Sequence, residues 1–301
     1  MRHVPYVQTS VFIDERYQFT GNQLATFWDK EKNTLTSEEM QGIALELNFS
    51  ETTFIFQSDF SNCISSVRIF TPGSELKFAG HPTLGTAYVL KEKGIIPKNV
   101  DKATLELGIG PIDVEFYDNE IVSMLQPKPQ FMEKYTNKTN IAKILGLQID
   151  DISDKYPMQV VSTGFPFLIV PLNSLDSIKK INLSPNLQMK LLSDFITSKI
   201  LVFTTETIHS DSSVNVRMFA PSVGVLEDPA TGSAAGPLCA YLENWNILSS
   251  HKKGEKIFIE QGYEIKRPSK LIGTVKWTKD EQKNILVSGK VKKTAEGEFF
   301  I

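Results

Sequence analysis

The chain has 301 residues, 41% hydrophobic and 22% charged, with 32 Lys and Arg against 35 Asp and Glu and a formal net charge of −3. That is the composition of an ordinary globular protein of one large or two medium domains, and it excludes a disordered or low-complexity chain. No basic cluster suits a nucleic acid, because the densest stretch, His251-Lys252-Lys253-Gly254-Glu255-Lys256, reads as a solvated turn, and no apolar run is long enough for a bilayer.

The N-terminal stretch MRHVPYVQTSVFIDER lacks the apolar core of a signal peptide, so the cytoplasm is the expected compartment. Residues 5–14 alternate through Val7, Thr9, Val11 and Ile13 and predict a strand, with Gly21-Asn22 following as a turn. Residues 36–47 predict an amphipathic helix. Thr34 and Ser37 are its candidate N-caps, Glu38 and Glu39 fill its first turn, and Met40, Ile43, Ala44 and Leu47 form its stripe. Strands are expected at 52–56 and 66–70, a helix at 82–90, and three short strands within 103–125, broken at 108–110 and at Asp118-Asn119. Pro127 and Pro129 then interrupt the chain. They mark a hinge between an N-terminal half, 1–127, and a C-terminal half, 128–301, with the last strand free to return to the first half. In the second half a short helix is expected at 141–145, strands at 158–162 and 167–171, and a helix at 187–196. Strands at 200–204 and 214–219 lead to a helix at 230–242, and the end is strand-rich at 256–260, 271–277, 285–288 and 298–301. The class is α+β, a strand-rich layer with a helix in each half, rather than a series of βαβ units.

One stretch occurs twice. Residues 67–87 read VRIFTPGSELKFAGHPTLGTA and residues 216–234 read VRMFAPSVGVLEDPATGSA. Val67-Arg68, Phe70 and Pro72 match Val216-Arg217, Phe219 and Pro221. With a two-residue length difference, His81-Pro82, Gly85 and Ala87 then fall on Asp228-Pro229, Gly232 and Ala234. The repeat predicts two similar halves facing each other across a cleft, with His81 in one and Asp228 in the other. In each copy a helix is expected to begin at a polar residue followed by Pro, where a missing N–H costs nothing. The small residues behind it (Gly85 in one copy, Gly232, Ser233 and Ala234 in the other) leave the first-turn amides open for an anion such as a substrate carboxylate.

Each residue also has a plainer reading. Asp228 alone is a natural N-cap, His81 alone a loop histidine, and the glycines alone packing residues. It is the occurrence of both polar residues at matching repeat positions that favours function. Glu51, in Ser50-Glu51-Thr52-Thr53-Phe54, sits between a helix and an apolar strand. That setting suits a partly desolvated proton shuttle, although a lone glutamate is more often a surface carboxylate. Cys63 and Cys239 are the only cysteines and form no CxxC or Cys/His cluster, so neither a disulfide nor a zinc site is expected.

Ser50-Glu51-Thr52-Thr53-Phe54, Phe78-Ala79-Gly80-His81-Pro82-Thr83-Leu84-Gly85 and Glu227-Asp228-Pro229-Ala230-Thr231-Gly232-Ser233-Ala234 together resemble the PhzF-like family of the phenazine-biosynthesis isomerase. Gly21-Asn22, Gln261-Gly262 and Arg267-Pro268-Ser269 fit the same pattern, and the resemblance runs from near residue 6 to near 300. It implies a diaminopimelate epimerase-like fold: two pseudo-symmetric α+β halves, each a curled, mostly antiparallel sheet around a central helix. It further implies a homodimer, and isomerase chemistry that moves a proton on a small carboxylate-bearing substrate with no cofactor and no metal. Glu51 resembles the acid/base, with His81 and Asp228 as its catalytic partners. Gly80, Gly232 and Ser233, with Ser50 beside them, resemble the substrate contacts. Gln23 and Lys266 depart from the residues common at those places, which bears on substrate choice. The related epimerases and proline racemases use a cysteine from each half, and neither motif here contains one, which disfavours two-thiol racemisation. Two alternatives stay open: a non-catalytic small-carboxylate-binding protein on the same fold, and a residual epimerase.

Overall fold

A computed structural model of the protein describes residues 2–28, 35–117, 120–277 and 283–301. In chain order the first elements are β1 (His3–Val11), β2 (Asn22–Trp28), α1 (Ser37–Leu47), β3 (Glu51–Phe56), β4 (Ser65–Phe70), β5 (Glu75–Leu76), α2 (Gly80–Glu92), β6 (Lys102–Leu107), β7 (Gly110–Tyr117) and β8 (Ile121–Leu125). There follow β9 (Gln130–Lys134), α3 (Lys138–Leu145), β10 (Gln159–Ser162), β11 (Pro166–Pro171), α4 (Leu175–Lys180), α5 (Pro185–Leu191), β12 (Ile200–Thr204) and β13 (Val214–Ala220). The chain ends with β14 (Val225–Asp228), α6 (Gly232–Asn244), β15 (Lys256–Gln261), β16 (Ser269–Trp277) and β17 (Lys283–Phe300). These elements form two compact units, Met1–Leu125 with Ser288–Ile301, and Gln126–Val287.

In the first unit the strands close a ring. β17 pairs with β1, β1 with β2, β2 with β3 in parallel, β3 with β4, β4 with β6 in parallel, β6 with β7 and β7 with β8. β8 returns to β17, so no edge is left open in the ring. Strand alternation gives the sheet two apolar faces. On the outer face, Met40, Ile43 and Ala44 of α1 pack on Ala25, Phe27, Phe54 and Phe70. There Tyr6, Phe27 and Phe54 stack at 5.2 Å from ring to ring along neighbouring strands, and Phe70 meets Phe54 edge-on at 5.5 Å. The inner face surrounds α2, which is buried nearly all round and therefore lacks an amphipathic stripe. Close approach explains its small residues: a Cβ on Gly85 would lie 2.5 Å from Leu24 Cδ2 and 2.9 Å from Val11 Cγ2. Gly85 is thus a packing glycine against β1 and β2, not one that keeps a helix start uncrowded.

The second unit repeats the scheme. β9 pairs with β10, β10 with β11, β11 with β12 in parallel, β12 with β13, β13 with β15 in parallel and β15 with β16. α6 is the buried helix, and Ile141 and Leu145 of α3 with Ile178 of α4 cover the other face through Val160, Leu168, Val170, Ile200 and Val202. Both units are therefore α+β, each a curled, mixed but mostly antiparallel sheet around a central helix. No helix among the described residues is long and apolar enough to cross a membrane.

Several expectations are corrected. α1 is capped by Thr36, whose hydroxyl accepts from the Glu39 amide while Glu39 Oε2 accepts from the Thr36 amide, so Ser37 is the first helical residue rather than the cap. Thr34, and the break at Asp118-Asn119, lie outside the described residues. The C-terminal run is one long strand, not two short ones. Its polar residues 292–298 are held by backbone pairing to β1, which needs no apolar side chains. β2, β9, β14 and α4 carried no strong period and were not foreseen.

Candidate active site

In the first unit, α1 ends at Asn48, whose left-handed conformation (φ 52°) turns the chain through Phe49 and Ser50 into β3. β3 runs parallel to β2 with Leu24 opposite Glu51, so the first residues of both strands lie at the same end of the ring. Period two sends Glu51 and Thr53 to the inner face, towards α2, and Phe54 to the outer. Thr53 Oγ1 accepts from Thr86 Oγ1 of α2 at 2.8 Å and donates to Thr26 Oγ1 at 3.0 Å. One turn nearer the helix start, Glu51 Oε2 lies 3.5 Å from His81 Nδ1. The imidazole is buried and the Glu51 side chain is 16% exposed.

The protonation of His81 follows from its partners. Nε2 lies 3.3 Å from the Gln23 carbonyl oxygen, which can only accept, so Nε2 carries the hydrogen. Nδ1 lies 3.4 Å from the Asn22 side-chain nitrogen and faces Glu51. Burial pushes the imidazole pKa down to about 3, against a smaller upward pull from the Gln23 carbonyl, so the ring is neutral near pH 7.

In the second unit, Asp228 is the buried last residue of β14. Its Oδ2 accepts from Thr231 Oγ1 at 2.5 Å. Gln261, at the end of β15, accepts from the Thr231 amide at 3.1 Å and donates to the Asp228 carbonyl at 2.8 Å and to Thr231 Oγ1 at 3.0 Å. α6 begins after this turn, with Gly232 first and Ser233 second, and no side chain caps it. Pro229 therefore lies outside the helix, whereas Pro82 is the third residue of α2.

The structure also corrects the register of the repeat. Ile69 on β4 pairs with Leu76 on β5, and its counterpart Met218 on β13 pairs with Asp228 on β14. Arg68 grips Glu75 through two bonds of 2.7 and 2.6 Å, and Arg217 grips Glu227 through two of 2.9 and 2.7 Å. Each guanidinium lies 5.1 Å from the centre of the next aromatic ring, Phe70 or Phe219. α2 and α6 are both 13 residues long and both begin with Gly. The counterpart of Asp228 is therefore Leu76, and the counterpart of His81 is Ser233. The loop after β13 contains an extra short turn, Pro221–Val223, so the second copy is longer where matching by residue identity had shortened it. The functional case can no longer rest on His81 and Asp228 as repeat partners. It rests on what each one touches.

Glu51 and His81 are thus brought together, with Ser50 and Gly80 as their chain neighbours, while Asp228, Gly232 and Ser233 form a separate group in the second unit. Asn22, Thr231 and Gln261 lie in the stretches that carry the family resemblance, and Gln23 was marked only as a departure from it. Their roles as polar partners were not read, since these contacts join residues about 30 to 60 positions apart, a span no local period reports. Cys239 is buried inside α6, where desolvation pushes its thiol up to about 12, and burial raises the Cys63 thiol as well. Neither is poised as a thiolate base. No group of His, Cys, Asp and Glu able to hold a metal ion occurs among the described residues.

A sheet curled around a buried helix, present twice with the same strand pairing, defines a diaminopimelate epimerase-like protein. The family model for phenazine biosynthesis-like proteins, PhzC-PhzF, matches residues 10–297, and the chain belongs to this family. It is 34% identical over 300 residues to the trans-2,3-dihydro-3-hydroxyanthranilate isomerase of Pseudomonas aeruginosa, covering 98% of this chain and 99% of that one. Among solved structures, it is similar to a phenazine biosynthesis protein of the PhzF family from Bacillus anthracis (TM-score 0.90, 27% identity, 100% of both chains). A predicted epimerase from Pseudomonas aeruginosa matches with a TM-score of 0.79, 29% identity and 99% of both chains. The chain is an isomerase of this family.

Proposed function

We propose that the protein moves a proton between carbons of a small carboxylate-bearing substrate, without a cofactor, using Glu51 as the acid/base. The observation that carries this reading is the Glu51–His81 pair. A partly exposed carboxylate can reach a substrate, take a proton from a carbon next to an electron-withdrawing group and return it to another carbon on the same face. The buried neutral imidazole places no positive charge beside the carboxyl, so His81 does not hold Glu51 as one half of an ion pair. Ser50 and Gly80 are proposed as substrate contacts beside this pair, Asp228 as a further catalytic polar group, and Gly232 and Ser233 as substrate-binding residues. The Pseudomonas relative is named for a hydroxylated aminocarboxylate, and the same chemical class is proposed here.

The test is turnover of trans-2,3-dihydro-3-hydroxyanthranilate in heavy water by the native protein and by Glu51→Gln. The native protein should give product carrying solvent deuterium, and the variant should lose about 10²- to 10⁴-fold in kcat, the range for removing a general acid/base. Turnover by Glu51→Gln at the native rate would end the assignment. A carboxylate-binding protein without catalysis would bind the compound and incorporate no deuterium.

A further inference from the structure

The start of β2 holds both nitrogens of the His81 ring with two consecutive residues. The Gln23 carbonyl faces Nε2 at 3.3 Å, and the Asn22 side-chain nitrogen faces Nδ1 at 3.4 Å. For a neutral ring, donor and acceptor types leave one consistent assignment. A carbonyl cannot donate, so Nε2 must; a neutral ring has one hydrogen, so Nδ1 is bare; the Asn22 atom opposite it must then be the amide NH2. Asn22, like His81, is buried, which leaves little room for water to substitute for this donor. Asn22 also fixes where the ring points, because β2 and β3 are in parallel register and the same Nδ1 faces Glu51.

We infer that Asn22 is a positioning residue for the proton transfer: its amide holds His81 as the Nε2–H tautomer with a bare Nδ1 turned to Glu51, so that His81 neither gains a charge nor strips Glu51 of its proton. Gln23 contributes only its backbone, so its side chain is free to vary at this position. Asn22 acts through His81 and is assigned no contact with substrate. The inference rests on the reading of Glu51 as the acid/base.

The experiment is long-range nitrogen NMR of the full-length protein labelled with 15N-histidine. Four histidines contribute, and His81→Gln identifies the missing pair of signals. At pH 6 the native His81 should show one protonated and one unprotonated nitrogen. Asn22→Asp replaces the donor by an acceptor of the same shape and should put a hydrogen on Nδ1, giving two protonated nitrogens. Asn22→Ala serves if the aspartate variant does not fold: Nδ1, left without its donor, should take up hydrogen more readily and its signal should shift towards the protonated position. A native His81 that is doubly protonated or Nδ1–H at pH 6 overturns the inference, and so does a His81 spectrum unchanged in whichever variant folds. With trans-2,3-dihydro-3-hydroxyanthranilate, kcat of the variant should fall about tenfold or more while KM holds, as expected when a tautomer-fixing partner is lost. The spectra decide the matter whether or not that compound is the substrate. Native turnover by Glu51→Gln would remove the acid/base reading and leave the tautomer result standing, whereas unchanged Asn22 variants would remove Asn22 and leave Glu51 standing.

Discussion

Burial of a neutral histidine makes stability depend on pH, and His81 allows the size to be worked out. Its pKa falls from an ordinary 6.5 in the unfolded chain to about 3 in the folded one. Between those values the unfolded state binds a proton that the folded state refuses, so stability rises with pH. The contribution is complete above pH 6.5 and is lost progressively as pH falls towards 3. From pH 7 to pH 5 the unfolded imidazole goes from about a quarter protonated to nearly full, while the folded one stays bare, and the loss is about 2 kcal/mol. Extended to pH 4 it is about 3 kcal/mol. The measurement is urea unfolding of the native protein and of His81→Gln at both pH values. The variant is less stable at pH 7, but its stability should fall by about 2 kcal/mol less than that of the native protein on going to pH 5. Groups common to both proteins cancel in the difference. Equal falls would mean that His81 already carries a proton in the fold, as an imidazolium paired with Glu51, and the neutral-partner mechanism would be wrong.

Two packing predictions follow. A Cβ at Gly273 would lie 2.1 Å from Cys239 Sγ and no nearer than 3.5 Å to any other atom, so Gly273→Ala should cost about 1–3 kcal/mol, and Cys239→Ala in the same chain should restore most of it. A double variant no more stable than Gly273→Ala would show that the strand, not the sulfur, resists the methyl group. The repeated arginine forks should differ in worth. Arg217 and Glu227 have side chains 8% and 11% exposed, and Arg217 also donates to the carbonyls of Ile178 and Ile181, whereas Arg68 and Glu75 are 32% and 43% exposed. Arg217→Met should therefore cost about 3–5 kcal/mol by stranding Glu227, and Arg68→Met about 1 kcal/mol or less; equal shifts in thermal midpoint would refute the burial argument.

What was legible in the sequence was what local periods report. Alternation through Val7, Thr9 and Val11 marked β1, the Met40, Ile43 and Ala44 stripe marked α1, and the small residues after His81 and Asp228 marked the two buried helices. Glu51 was singled out by its place between a helix and an apolar strand, and its partnership with His81 came from the family resemblance. The rest depends on pairing between distant segments. β2 reads as no strand by alternation, because its residues from Leu24 to Phe27 are buried on both faces, between α1 outside and α2 inside. The polar half of β17 is the converse case, a strand fixed by the backbone of β1 with its side chains largely in water.

The repeat shows how far residue identity can mislead about equivalence. Matching His81-Pro82 to Asp228-Pro229 preserved three identities and looked like a functional correspondence. Backbone pairing preserves something harder to mimic by chance: an arginine fork, a ring beneath it, and a helix that starts with glycine four residues after the strand partner of Ile69 or Met218. All three fit one register, and the fork's glutamate and the helix start contradict the other. Under it each copy keeps the same scaffold and differs at the two places where chemistry would sit, His81 against Ser233 at the second helical position and Leu76 against Asp228 at the strand end. The two copies are therefore asymmetric, but at two separate positions of a common frame rather than at one matched pair. One unit holds a histidine through two residues of β2, and the other holds the Asp228 carboxylate through the Thr231 hydroxyl, which Gln261 in turn bonds.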